Sequence, residues 1–406
     1  VSAQSARPAA APAAVTVAPP PAAAKNNCTN TGSFDAFLVS MKKEALAAGV
    51  KAGTVSATLD GMTPDMGIIQ SDRRQGFFAQ PFLDFQAKLA TQGRVINGQA
   101  KLKQHKAIFD RAEKDYGVPP AILSAFWALE SDFGSAMGMG KKSVLRSLAT
   151  LAYDCRRSEL FREQLIYAMK IIDRGDLTAA DMIGPWSAEL GQTQFQPKHY
   201  FDYAIDYDGD GKRDLYRSVP DVIGTSANFV RSLGWKAGEP WLQEVRVPAS
   251  LPWEQAGLDV KLPRASWAGF GVTTVDGKKL PADQLPSSLL LPMGRNGPAF
   301  LAYPNFEVFT KWNQSLNYAV TAAYLATRIA GAPAMGRGNA PVASLDGTQI
   351  AEVQTLLARR GYKVGEPDGK LGAGTRLAIR QAQVKLGLPA DSYPTPEFLA
   401  ALRTAR

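Results

Sequence analysis

Cysteine and histidine are scarce: 406 residues carry two of each, Cys28, Cys155, His105 and His199. That excludes a Cys/His metal cluster and leaves a Ser-His-Asp arrangement only two imidazoles to draw on. Long apolar runs are also lacking. Nothing approaches the ~18 uncharged apolar residues of a membrane span, and a patch such as Ala121 to Leu129 reads as a buried helix face. Zinc-finger spacing, an RNA-binding sheet motif and a dense Lys/Arg helix are absent. The net charge of +9 is spread along the chain. It therefore suits an acidic wall or membrane surface at least as well as a nucleic acid. The two cysteines allow either a disulfide made in an oxidising compartment or two buried thiols. Cys28 follows Lys-Asn-Asn rather than a small-residue lipobox, so it is not read as a lipid anchor. The chain starts with Val, which is expected of a removed leader or a trimmed start.

What is present is ordinary for a globular protein, with 45% hydrophobic and 20% charged residues. The length suggests two to three domains. Residues 1–32 are dominated by Ala, Pro, Val and Ser at their start and are expected to form a disordered tether. Helical periodicity begins at Ser33, a candidate cap. It predicts helices over Gln80–Leu89, Gly98–Tyr116, Pro119–Phe133, Val144–Tyr153, Ser158–Arg174, Pro220–Leu233 and Leu316–Ile329. Residues 241–309 turn rich in Pro, Gly and β-branched residues and are expected to be a small β insertion. Residues 332–345 read as a linker, and 346–406 as a separate module. The expectation is thus a mainly α chain: a helical domain over 33–331 with a β-containing insertion, then a small three-helix module.

The segment Val118-Pro-Pro-Ala-Ile-Leu-Ser-Ala-Phe-Trp-Ala-Leu-Glu130 is the first with chemical content. Proline is tolerated in the first helical turn, so the helix should start near Pro119 and stop near Gly134. Ile122, Phe126 and Glu130 then share one face, flanked by Leu123 and Trp127. A carboxyl at the end of an apolar stripe should have a raised pKa and stay protonated near neutral pH. That is what a general acid at a glycosidic oxygen requires.

Three ordered motifs then carry a family likeness. Glu130-Ser-Asp-Phe-Gly134 behind the Val-Pro-Pro start resembles the catalytic segment of the lytic murein transglycosylase B family, glycoside hydrolase family 103. Trp186-Ser-Ala-Glu-Leu-Gly-Gln-Thr-Gln-Phe-Gln-Pro197 resembles its Gly-Gln-x-Gln-Phe-x-Pro loop, and Trp312-Asn-Gln-Ser-Leu-Asn-Tyr318 its Tyr-Asn-x-Ser segment followed by Tyr. The likeness runs from about Phe34 to Ile329.

It implies a lysozyme-like helical domain that cleaves peptidoglycan strands between N-acetylmuramic acid and N-acetylglucosamine, leaving 1,6-anhydro ends. Glu130 alone would serve as acid and then base, and no second carboxylate beside it is apparent. By the same likeness Gln194 and Asn313 should hydrogen-bond the sugar and Tyr318 should line the cleft. Trp312 and Phe229 stand where Tyr is frequent and are expected to stack on sugar faces; Glu189-Leu190 replaces Ala-Met. Two other readings stay open: a hydrolytic muramidase, and a wall-binding scaffold without activity.

Asp206-Tyr-Asp-Gly-Asp-Gly-Lys-Arg-Asp214 resembles the start of an EF-hand loop. Asp206, Asp208, Asp210, the Lys212 carbonyl and Asp214 are its candidate ligands, with Asp221 closing it in place of the usual Glu. An Asp/Gly turn without metal is the other reading. Any calcium is expected to be structural, and catalysis to need no cofactor. Residues 349–402 resemble the type 1 peptidoglycan-binding domain, with Thr375 expected to cap its second helix and Ala382 standing where Phe is usual. Together these imply an exported or periplasmic monomer whose partners are peptidoglycan glycan strands and wall-synthesis complexes, not nucleic acid.

Overall fold

A computed structural model describes residues 28–30, 32–73, 80–135 and 138–405. The tether expected over 1–32 falls almost wholly outside them.

The centre of the fold is the helix Pro120–Ser131. It opens on Pro119-Pro120, and every residue from Ala121 to Ala128 is buried. Such a helix has no solvent face and needs neighbours all round. The helices Leu316–Ile329, Gln92–Gln104, Lys106–Tyr116 and Val219–Ser232 supply them. Close approach is built in at Gly98. A Cβ there would meet Ile329 Cδ1 at 2.6 Å and Ser124 Oγ at 3.1 Å.

Val144–Tyr153, Ser158–Arg174 and Leu316–Ile329 form over the spans that their periodicity predicts. Ser33 caps the first helix by accepting from Ala36 N. The single helix expected over Gly98–Tyr116 is instead two, Gln92–Gln104 and Lys106–Tyr116, broken at His105. No Pro or Gly marks that break. His105 leaves helical geometry (φ −113°, ψ 30°) and its carbonyl accepts from Ile108 N and Phe109 N. Packing sets the bend, not local propensity. The helix that carries Glu130 also ends earlier than expected, at Ser131.

Cys28 and Cys155 are joined by a disulfide with a Cα–Cα distance of 5.9 Å, which closes a loop of sequence separation 127. It fastens the chain's start to the turn between Val144–Tyr153 and Ser158–Arg174. Asn30 Oδ1 accepts from Cys155 N at 2.8 Å beside it.

The insertion is a five-stranded antiparallel sheet in the order Leu262–Pro263, Pro286–Leu290, Ala299–Ala302, Leu242–Arg246, Thr273–Thr274. Side chains alternate across it, as the period of 2 requires. Ala299 and Leu301 join a core of its own around Trp253 and Trp267, while Phe300 and Ala302 join the helical core. The sheet is thereby anchored to the domain on one face.

The C-terminal module packs helices Gly347–Arg359, Ala373–Lys385 and Pro396–Thr404 around Val353, Leu357, Ile379 and Phe398. Its first helix starts with a capping box between Asp346 and Gln349. Thr375 does not cap the second: Gly372 is the N-cap, and Thr375 is buried one turn in, its Oγ1 accepting from Gln354 Nε2 at 3.2 Å. Three residues of displacement turn a cap into a core hydrogen bond.

Residues 332–345, read as a linker, lie against the insertion. Gly336 N donates to Glu244 Oε1 at 2.7 Å, and Asn339 N to Asn296 O at 2.7 Å. Gly338 (φ 83°) passes so close to Asn296 O that a Cβ would sit 2.3 Å from it. Among the described residues no helix is long and apolar enough to cross a membrane.

Removing the disulfide with Cys28→Ser and Cys155→Ser is expected to lower stability by about 2–5 kcal/mol, because a long loop in the unfolded chain is released. Urea unfolding of the oxidised parent and the double variant measures it; equal midpoints would show that the crosslink constrains nothing.

Candidate active site

Glu130 sits in the last turn of the buried helix and keeps part of its surface open. One oxygen, Oε1, accepts two hydrogen bonds: from Trp312 Nε1 at 2.9 Å and from the Tyr318 hydroxyl. Oε2 bonds to no described residue. The carboxyl is thus gripped on one side and open on the other.

Burial pushes its pKa up to about 7. The bonds from Tyr318 and Trp312 favour the charged form and pull it down, while the nearby charge of Glu189 pushes it up. The Tyr318 hydroxyl is itself raised, by burial and then by the charge of Glu130. Tyr318 therefore stays a donor across the physiological range.

The grip depends on aromatic packing. The Trp312 ring stacks on Phe126 with centroids 3.9 Å apart and planes 15° from parallel. Phe195 and Phe229 close on it at 5.6 and 5.5 Å. Trp312, expected as a sugar platform, has one ring face covered by Phe126 and its indole N–H directed at Glu130. Phe229 is corrected likewise. It is 5% exposed and packed among Phe195, Tyr203 and His199, so its ring supports Trp312 and presents no face to a sugar.

The chain turns sharply beyond Glu130. Asp132 (φ 52°), Phe133 (φ 61°) and Gly134 (φ 77°) are all left-handed. Two of these are not glycine, which costs energy and needs support. Asp132 pairs with Arg94 at 3.3 Å, and the Phe133 ring meets Trp127 edge-on at 5.4 Å. Gly134 N donates to Ser131 Oγ, which donates to Gln192 O. Gln192 completes the clasp: its Oε1 accepts from Trp127 Nε1 at 2.8 Å and its Nε2 donates to Tyr216 O at 2.8 Å. Periodicity could not reveal Ser131 or Gln192. Their signal in the sequence is that they fall within the motifs that carry Glu130 and Gln194.

Gln194 is left-handed (φ 52°) at the tip of a loop closed by the pairing of Leu190 with Phe195. Its Nε2 donates to Gly191 O at 2.7 Å, which leaves its carbonyl oxygen for a ligand. Asn313 follows Trp312 directly; its Oδ1 accepts from Ser315 N at 2.9 Å, leaving its amide N–H groups. Glu189, treated in the sequence only as a departure, is the neglected residue. It is within electrostatic reach of both Glu130 and Tyr318, its pKa is raised by burial, and Ser187 Oγ donates to its Oε2 at 2.8 Å. A second carboxylate therefore does influence Glu130.

Asp206, Asp208 and Asp210 bring one oxygen each within 4.8 Å of one another. Asp214 pairs with Arg217 at 2.9 Å. Asp221 is fully buried and accepts from Tyr207 N at 2.7 Å and Asp214 N at 2.8 Å, which clasps the loop's two ends.

The carbon-13 titration of the Glu130 carboxyl is expected to show a midpoint of about 7. Glu189→Gln should lower that midpoint by removing the like charge; an unchanged midpoint would mean that Glu189 exerts no influence.

Residues 33–327 match the Transglycosylase SLT domain family, and residues 346–402 the putative peptidoglycan binding domain family. The membrane-bound lytic murein transglycosylase B of Escherichia coli (strain K12) is 29% identical over 292 residues, which is 71% of this chain and 77% of that one. The structure of SltB3 from Pseudomonas aeruginosa in complex with NAG-anhNAM-pentapeptide is 41% identical, covers 92% of this chain and 100% of its own, and superposes with a TM-score of 0.85. The Escherichia coli lytic transglycosylase Slt35 in complex with calcium is 27% identical, covers 72% of this chain and 92% of its own, with a TM-score of 0.61. With its first domain matched almost end to end, this chain belongs to the SLT-domain family of lytic transglycosylases.

Proposed function

We propose that Glu130 is the sole acid–base for cleavage of the β-1,4 bond between N-acetylmuramic acid and N-acetylglucosamine in peptidoglycan, with formation of 1,6-anhydromuramoyl ends. The observation that carries this is the asymmetry of its carboxyl: Oε1 held by Trp312 and Tyr318, Oε2 open, and burial keeping the acid protonated up to about pH 7. Oε2 delivers its proton to the bridging oxygen as the C1–O bond breaks, and N-acetylglucosamine leaves with a new hydroxyl. Positive charge at C1 is shielded by the substrate's own N-acetyl group. The carboxylate then takes the proton of the muramoyl C6 hydroxyl while that oxygen bonds to C1, so Glu130 ends as it began. Attack within one sugar has a high effective molarity and needs no activated water. Asn313 and Gln194 hold the sugar through their remaining amide groups. That a 41% identical relative binds NAG-anhNAM-pentapeptide supports this product.

Glu189 is the observation that favours a second reading, a muramidase in which it activates water as glycosidase carboxylate pairs do. The two readings part on products. Mass spectrometry of purified peptidoglycan digests should show anhydro ends from the parent and from Glu189→Gln. Products one water heavier would establish hydrolysis. Glu130→Gln should lower the rate on the order of 10²–10⁴-fold, the scale of general acid catalysis. The parent rate should fall as pH rises through about 7, where the acid form is lost. Tyr318→Phe removes a bond that favours the carboxylate, so it should move that fall to higher pH while slowing the reaction.

The Asp206–Asp210 cluster suits a hard divalent cation, with Asp206, Asp208 and Asp210 as ligands; the calcium complex of Slt35 supports that reading. Its role is structural. Millimolar calcium should raise the thermal midpoint of the parent and leave Asp208→Asn unaffected; a parent indifferent to calcium would refute the site. The chain acts in the cell envelope as an exported monomer, bound to glycan strands and available to wall-synthesis complexes.

A further inference from the structure

The loop over residues 185–195 carries a carboxyl, Glu189, that the transglycosylase reaction above leaves without a task. The backbone around it is held in an unusual shape. Ala188 (φ 67°), Gly191 (φ 73°) and Gln194 (φ 52°) are all left-handed. Two of them are not glycine, and such conformations gather at functional sites. Ala188 N donates to Pro185 O at 3.1 Å, and Leu190 and Phe195 exchange both backbone hydrogen bonds, at 2.8 and 2.9 Å. The Leu190 and Phe195 side chains are buried in the helical core. Alternation along a paired segment therefore turns Glu189, the residue before Leu190, to the opposite face. The strand Ile183–Gly184 backs it closely: a Cβ on Gly184 would lie 2.3 Å from Glu189 O.

Glu189 is anchored in the same manner as Glu130. Ser187 Oγ donates to its Oε2 at 2.8 Å, and its Oε1 bonds to no described residue. Each carboxyl thus has one oxygen fixed by the protein and one left open. They come from a helix and a loop, and the charge of Glu189 acts on both Glu130 and Tyr318. A substrate group standing between the two meets an acid on one side and an acceptor on the other.

Substrate chemistry selects that group. Glu130 Oε2 addresses the bridging oxygen on C1 of the muramoyl sugar. The next ring carbon, C2, bears the acetamido group, whose N–H is a donor and whose carbonyl oxygen can reach C1. A carboxylate is an acceptor only. It suits the N–H and turns the carbonyl oxygen away from itself.

We propose that Glu189 Oε1 accepts the acetamido N–H of the muramoyl sugar and so aims the acetamido oxygen at C1. This rests on the reading of Glu130 above. As the C1–O bond breaks, its electron pair stays with the bridging oxygen, which takes the Glu130 proton. A lone pair of the acetamido oxygen bonds to C1, and the positive charge spreads over the amide, beside the Glu189 carboxylate. Fixed charge so placed stabilises charge that develops in the reaction. The N–H proton stays on nitrogen. The C6 oxygen then displaces the acetamido oxygen from C1 and gives its proton to Glu130. One carboxyl moves the protons while the other holds the amide.

The experiment is a cycle between enzyme and substrate. Two synthetic peptidoglycan tetrasaccharides differ only at C2 of the muramoyl sugar at the cleaved bond. One has the natural acetamido group; the other has an acetoxy group, which keeps the carbonyl oxygen and lacks the N–H. The enzymes are the parent, Glu189→Gln, which keeps a neutral acceptor, and Glu189→Leu, which has none. Any influence of Glu189 on the Glu130 proton acts on both substrates and cancels in the amide-to-ester ratio of kcat/KM. That ratio should fall about ten- to a hundredfold in Glu189→Leu, the scale of a hydrogen bond to a charged group, and by less in Glu189→Gln. Kd values measured in the Glu130→Gln background give the same comparison without turnover, and the preference for the amide should again be lost with Glu189→Leu. A ratio that stays constant overturns the proposal, including the case in which both rates fall equally, which would assign Glu189 to the activation of water. Failure of the Glu130 reading looks different: Glu130→Gln would cleave the amide substrate as fast as the parent.

Discussion

Everything at the site follows from placing an ionisable carboxyl at the end of a helix that has no exposed face. Ala121 to Ala128 are buried without a break, so the next turn delivers Glu130 into surroundings that disfavour its charge. Two donors, Trp312 and Tyr318, offset part of that cost and fix the direction of the carboxyl. They arrive from the far side of the fold, 182 and 188 residues along the chain. The helix Leu316–Ile329 packs against Pro120–Ser131 and so carries Tyr318 to its place.

The strained turn after Glu130 has the same origin. A helix that ends in the protein interior must hand its last backbone groups to partners. Here Gly134 N donates to Ser131 Oγ, Ser131 Oγ to Gln192 O and Trp127 Nε1 to Gln192 Oε1, which ties the segment after Glu130 to the Gly-Gln-Thr-Gln loop. Two sequence motifs that look independent are one structural unit. Gln192 is the joint, and it lies behind the cleft rather than in it.

The C-terminal module shows the other use of charge in this protein. At Glu130 burial makes a carboxyl hold its proton. At Arg376 the Leu291 and Pro292 carbonyls, and at Arg380 the Ala256 carbonyl and Asp259, offset part of the cost of burying a guanidinium. The consequence differs too. A tether would only raise local concentration, whereas charge-assisted bonds to the insertion also fix the module's orientation.

How much of this was legible can be judged residue by residue. Helices with a strong 3.6-residue pattern, such as Val144–Tyr153 and Ser158–Arg174, were set by the sequence alone, because burying one apolar face leaves little choice. For Glu130 the apolar stripe raised only the expectation of a high pKa, and burial by the surrounding helices supplies it. The sequence could not decide the break at His105, the early end at Ser131 or the Gly372 cap. Each trades local preference for packing against elements remote in sequence. Nor could it assign Trp312, Phe229, Asp221 or Glu189. Whether an aromatic ring stacks on sugar or props another ring, and whether a carboxylate binds metal, clasps a loop or charges a neighbour, depends on what stands within a few ångströms. That distance is set by tertiary structure, since the partners are brought together only when the chain folds.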